Sequence, residues 1–264
     1  MALLRYYERY IAIAKNQGLG FLLESPTWRA SADWGGKLGY ASDDIVAVNE
    51  ESVRLMHDLR ERHETASSPM VVSGCVGPRG DGYDPGQAMT AGAAEAYHSL
   101  QIEAFATAGA DMVSAITMTN ADEAIGIARA AMKAGMPVAI SFTLETDGRL
   151  PTGQRLGDAI GEVDAATAAG PAYYMINCAH PTHFEGTLSG DAWVKRIRGV
   201  RANASRRSHR ELNDSPDLDA GDPVELGGQY RQLLRQHPQI NVLGGCCGTD
   251  HRHVECIALA CRAA

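Results

Sequence analysis

"ESPTWRAS", residues 24–31, decides between the two folds open to this chain. It follows the first short apolar run, "GFLLES" (20–25), which reads as a strand. A doubly wound open sheet usually places a glycine-rich phosphate loop after its first strand. Here that position carries proline, threonine, tryptophan and arginine, and no GxGxxG. A barrel of parallel strands makes no such demand on this turn.

Working outward, further apolar runs recur at 69–74, 111–117, 137–143, 172–177 and 240–244, with a weaker one at 197–203. They are continuously apolar rather than alternating, as strands buried on both faces are. Helical patterns separate them, at 2–17, 42–61, 86–108, 121–134, 154–169, 189–197, 223–236 and 250–262. Ser42 reads as an N-cap, with an acidic turn after it. The order is one helix followed by seven strand–helix units, one strand short of a (β/α)8 barrel. The expected fold is therefore α/β: a single TIM-barrel domain over residues 1–264 that lacks its first strand. The vacancy should fall between the strands at 20–25 and 240–244. Unpaired edges there invite strand donation or self-association into a homo-oligomer.

Composition narrows the function. With 45% hydrophobic residues among 264, the chain can build a large core. A net charge of −8 argues against nucleic acid as the main partner. No run is long and apolar enough for a membrane span, and the amphipathic, charged start lacks the plan of a signal peptide. A cytoplasmic location is expected. The six cysteines then read as free thiols or metal ligands. Asn203-Ala204-Ser205 matches a glycosylation acceptor only by chance in that compartment. Residues 201–227, basic at the front and acidic at the back, read as a solvated, mobile loop, with a lid over the catalytic face as the sharper alternative.

Cys178 directly follows "AYYMIN", and Cys246 and Cys247 directly follow "INVLGG". In a barrel both positions lie on the catalytic face. Gly244 and Gly245 release the backbone so that adjacent thiols can both turn inward. Three thiolates suit Zn2+, and a three-ligand site keeps one position open. Such a site is already anionic and a poor activator of water. It suits a substrate thiol, which it acidifies while leaving it nucleophilic. His180, His183, His251 and His253 lie near these cysteines in sequence, so a mixed Cys/His set competes. Cys75, Cys256 and Cys261 read as packing residues. A vicinal-thiol redox sensor, or a metal- or ligand-binding barrel without turnover, is the non-enzymatic alternative.

"MINCAHP" and "NVLGGCCGT" resemble the two zinc motifs of the homocysteine S-methyltransferase family. The similarity runs through "ESPTWRAS", "GPRGDGY", "ADMVSAITMTNADEA" and "SFTLETDGRLPTG", nearly the whole chain. It implies zinc on Cys178, Cys246 and Cys247, homocysteine sulfur as fourth ligand, and a sulfonium methyl donor opposite, S-methylmethionine or S-adenosylmethionine. The partners are then a small thiol and a methyl donor, and the product is methionine. Two departures stand out. The family's opening strand, with its Asp-Gly-Gly-like turn, has no counterpart here, so the chain start is misplaced or the protein is a natural truncation. A glutamate that many members carry on the fourth barrel strand is replaced by Ile116 and Thr117. Substrate contacts are expected from Glu24 as a substitute ammonium partner, from Thr27 and Trp28, from Thr117, and from Asn177 as a hydrogen-bonding neighbour of the thiolates. Asp147 and Arg149 are expected to shape a turn.

Overall fold

The computed structural model describes residues 2–262 other than 85, 87 and 189. The seven apolar runs form β1 (Phe21–Glu24), β2 (Met70–Val76), β3 (Met112–Met118), β4 (Val138–Thr143), β5 (Tyr173–Asn177), β6 (Ile197–Ala202) and β7 (Val242–Gly245). All pair in parallel, each with its neighbour in sequence. Central strands β3 and β4 are buried along their whole length, as their unbroken apolar character requires.

The connecting helices include α1 (Ala2–Gln17), α2 (Ala32–Gly36), α3 (Ser42–His63), α4 (Ala91–Thr107), α5 (Ala121–Lys133) and α6 (Leu156–Thr167). They continue as α7 (Pro181–Phe184), α8 (His209–Asn213), α9 (Pro223–Gln236) and α10 (His251–Arg262). Among the described residues no helix is long and apolar enough to cross a membrane. Alanine and glycine let α4 and α5 approach closely: a Cβ on Gly126 of α5 would lie 2.4 Å from that of Ala94 on α4.

Several expected boundaries move. Ser42 is the first helical residue rather than the cap. The Asp44 carboxylate instead accepts the Ala41 N–H at 2.8 Å. The helix expected over 86–108 starts at Ala91, where Thr90 caps it by accepting from Ala93 N–H. Position 87 of that expectation lies outside the described residues. The helix expected at 189–197 is replaced by α7 and two 3-10 segments, Glu185–Thr187 and Ala192–Arg196, with position 189 outside the described residues. Strand β6 begins at Ile197, and the five residues before it suffice only for the tighter turn.

Among the described residues no ladder joins β1 to β7. The sheet nevertheless curls, so that Arg201 of β6 reaches across to an ion pair with Glu24 of β1. A side chain satisfies an edge carbonyl of β1. Tyr7 of α1 donates to Glu24 O at 2.6 Å; Tyr230 of α9 instead bridges β6 and β7, accepting from Ala202 N–H at 2.8 Å and donating to Gly244 O at 2.6 Å. Helix α1 also packs on α10, where Arg262 Nη1 donates to Gln17 Oε1 at 3.2 Å. The architecture is a (β/α) barrel lacking one strand between β1 and β7.

Candidate active site

Each strand ends on one face of the curled sheet, and the chemistry-bearing residues sit at those ends. Cys178 follows β5 in a left-handed conformation, φ 53°. Its N–H donates to Arg201 O at 3.1 Å, which holds it beside β6. Cys246 follows β7, and its N–H donates to Ala202 O at 2.8 Å. Asn203 links the two loops: its Nδ2 donates to Cys178 O at 3.0 Å and its Oδ1 accepts Cys247 N–H at 3.0 Å. The chance glycosylation match is thus a buried positioning residue.

The result is convergence. The sulfurs of Cys178, Cys246 and Cys247 all lie within 4.8 Å of one another, the one such group of potential metal donors among the described residues. Cys178 and Cys247 sulfurs are 4.0 Å apart. Those of Cys178 and Cys246 are in bonding contact as a disulfide, with Cα atoms 5.4 Å apart. The sequence reads the six cysteines as free thiols or metal ligands, and this one pairing departs from that reading. Convergence that suits a metal also suits oxidation, and Cys246 bonds to its distant partner rather than to its neighbour Cys247. Cys247, Cys75, Cys256 and Cys261 remain free. Burial, with Glu24 nearby, pushes the Cys75 thiol well up, consistent with a packing residue.

Three histidines of the competing ligand set, His180, His183 and His253, are engaged elsewhere. His180 accepts from Thr182 N–H as the cap of α7, and burial pushes its imidazole down to about 4. His183 Nε2 donates to Arg206 O, and His253 Nε2 to Ala220 O, each at 2.8 Å.

Asn177 is completely buried beneath the sulfurs. Its Oδ1 accepts from Thr117 N–H at 3.0 Å and from Ser141 Oγ at 2.6 Å; its Nδ2 donates to Thr117 Oγ1 at 2.8 Å and lies 4.0 Å from Cys246 Sγ. Thr117 needs this support. It occupies a register shift in β3 with φ 72°, a costly conformation for a β-branched residue. The shift frees Ile116 O, which accepts from Trp28 Nε1 at 2.9 Å. Trp28, Thr117 and Asn177 therefore form one buttress. Thr27 is fully buried, with its hydroxyl donating to Cys75 O at 2.7 Å, and Glu24 is engaged by Arg201.

Two contributors were not singled out from the sequence. Tyr83, in the loop after β2, places its hydroxyl 3.2 Å from Cys247 Sγ and 3.4 Å from Cys178 Sγ. Burial pushes its phenol well up, and Cys247 acts in the same direction. His209 comes from the segment read as a solvated loop. Its ring lies 4.1 Å from that of Tyr83, its Nδ1 is 3.1 Å from Glu145 Oε1, and its Nε2 contacts Cys178 O. Residues 203–205 are buried and α8 folds back on the thiols, so this segment is a built part of the site. The only advance signal was a tyrosine within "GPRGDGYDPG" on the catalytic face.

Comparisons with known proteins place the chain in a family. The model of a family described as homocysteine S-methyltransferase matches residues 2–261. The chain is 25% identical to homocysteine S-methyltransferase 4 of Zea mays over 268 residues, 91% of this chain and 75% of that protein. Among solved structures it is similar to the homocysteine methyltransferase MmuM from Escherichia coli. The oxidized form has 22% identity and a TM-score of 0.74, covering 96% of this chain and 83% of that one. The metallated form has 19% identity and a TM-score of 0.72, covering 96% and 82%. These structural likenesses show the fold.

Proposed function

Because the chain belongs to the homocysteine S-methyltransferase family, we propose that it moves a methyl group from a sulfonium donor to homocysteine at a zinc ion held by Cys178, Cys246 and Cys247. The observation that carries this reading is the convergence of three sulfurs at the ends of β5 and β7. Their chemistry fits zinc, and three protein ligands leave one position for a thiol. Zinc, when bound, supplies acidification of that thiol without quenching its nucleophilicity. The acceptor sulfur forms the new S–CH3 bond, and its proton passes to water. The donor's C–S bond breaks, and the departing thioether keeps the electron pair. S-methylmethionine and S-adenosylmethionine both offer this leaving group.

The protein's own residues hold and orient. Asn203 fixes the two cysteine loops against each other, and Asn177 sets Thr117 and Cys246. Thr117, Asn177 and Trp28 shape the acceptor side. Thr27 anchors the first loop, and Glu24 serves the site through Arg201. A cytoplasmic location suits thiols that must stay reduced.

Reduced protein is expected to hold one zinc ion per chain and to form methionine from homocysteine and S-methylmethionine. Metal analysis together with product formation, with and without a chelator, checks this. Turnover that survives complete zinc removal refutes the mechanism. Zinc binding without turnover on either sulfonium donor favours the metal-binding, non-catalytic alternative.

A further inference from the structure

Tyr83 crosses the thiol cluster from the loop after β2, and its hydroxyl is aimed at sulfur. The oxygen stands 3.2 Å from Cys247 Sγ and 3.4 Å from Cys178 Sγ. In the reduced, metal-loaded protein these sulfurs would be thiolates with no hydrogen of their own, so toward them the phenol can only donate. The ring is held from behind. His209 packs on it at 4.1 Å and is itself held by Glu145 and by Cys178 O. Asn177 Nδ2 approaches the third sulfur, Cys246, at 4.0 Å. Every sulfur of the cluster thus faces a neutral donor, and two of the three face the same one.

Resting on the zinc reading above, we propose that Tyr83 donates its phenolic hydrogen to the Cys247 and Cys178 thiolates and so tunes both the metal and its bound nucleophile. A zinc ion with three thiolates is net anionic, and a substrate thiolate adds a further negative charge. A hydrogen bond to sulfur withdraws part of that charge. Hydrogen bonds to charged groups contribute more than neutral ones. The donor therefore stabilises the ligand set while lowering the energy of the sulfur lone pairs. Tyr83 is a positioning residue that acts through the cysteines, and His209 carries the 203–222 segment into the same task.

Tyr83→Phe keeps the ring and its packing on His209 and removes only the O–H. Cobalt substitution reads the sulfur electrons directly. In the variant the sulfur-to-cobalt charge-transfer band is expected to move to lower energy, because the lone pairs are no longer lowered. Zinc affinity, from chelator competition, is expected to fall roughly 10–100-fold, the usual effect of losing a partner of a metal ligand. Tyr83→Leu provides the contrast. A shift present in the leucine variant and absent from the phenylalanine variant assigns Tyr83 to packing and overturns the proposal. So does a phenylalanine variant with both the band and the affinity of the unaltered protein. If the unaltered protein shows no cobalt–thiolate band at all, the zinc reading fails and this proposal with it.

Discussion

Cys247→Ala is expected to lose its zinc and to lower methyl transfer by far more than the roughly 10–100-fold typical of an outer partner. The effect should be confined to the metal. Cys247 is exposed; beyond its sulfur's contacts with Tyr83 and Cys178, its ties to the fold are backbone ones: its N–H to Asn203 Oδ1 at 3.0 Å and its carbonyl to Ala204 N–H at 3.0 Å. Alanine keeps both. What disappears is one of three donors within 4.8 Å of each other, and zinc retained by two thiolates alone is held far less tightly. Metal content of the reduced variant beside the unaltered protein is the check. Equal zinc in both would remove Cys247 from the ligand set. His253→Ala is the matched control: its ring nitrogens contact Asp250 and Ala220 O rather than sulfur, so turnover should change only modestly.

Asn177→Leu is expected to destabilise the protein by about 3 kcal/mol, because it strands several buried groups at once. Thr117 N–H, Thr117 Oγ1 and Ser141 Oγ all bond to this amide, and both residues are buried. Leucine has nearly the same shape, so the loss is one of hydrogen bonds rather than volume. The left-handed Thr117 also loses the contacts that hold it there. Urea unfolding measures the effect. A loss under about 1 kcal/mol would mean that the threonine keeps its conformation without the amide.

The strands and their order were legible because each is a short apolar run bounded by polar turns, and parallel strands buried on both faces advertise themselves that way. "GGCCGT" and "INC" were legible because both follow such runs, so a barrel places their sulfurs on one face. What was hidden depends on side chains that cross between distant loops. Nothing in "RANAS" announces that Asn203 ties Cys178 to Cys247, since both contacts are to backbone atoms. Tyr83 and His209 lie in polar segments whose course periodicity cannot trace. Glu24 was read as facing a substrate ammonium; its partner is Arg201, on a strand with little apolar signal of its own.

That ion pair joins positions 177 residues apart, whereas every strand ladder joins consecutive strands. The chain can therefore assemble progressively, each strand docking on its predecessor at modest loop-closure cost, while the contact between the two ends must wait for the rest. Closure belongs to the late, downhill part of folding. Weakening it should hasten unfolding and leave the folding rate nearly unchanged. Glu24→Gln in stopped-flow unfolding and refolding tests the order, and a slowed folding limb would place closure early instead. A barrel whose ends meet through side chains and helix packing rather than a ladder is then expected to persist for as long as that seam is slow to open.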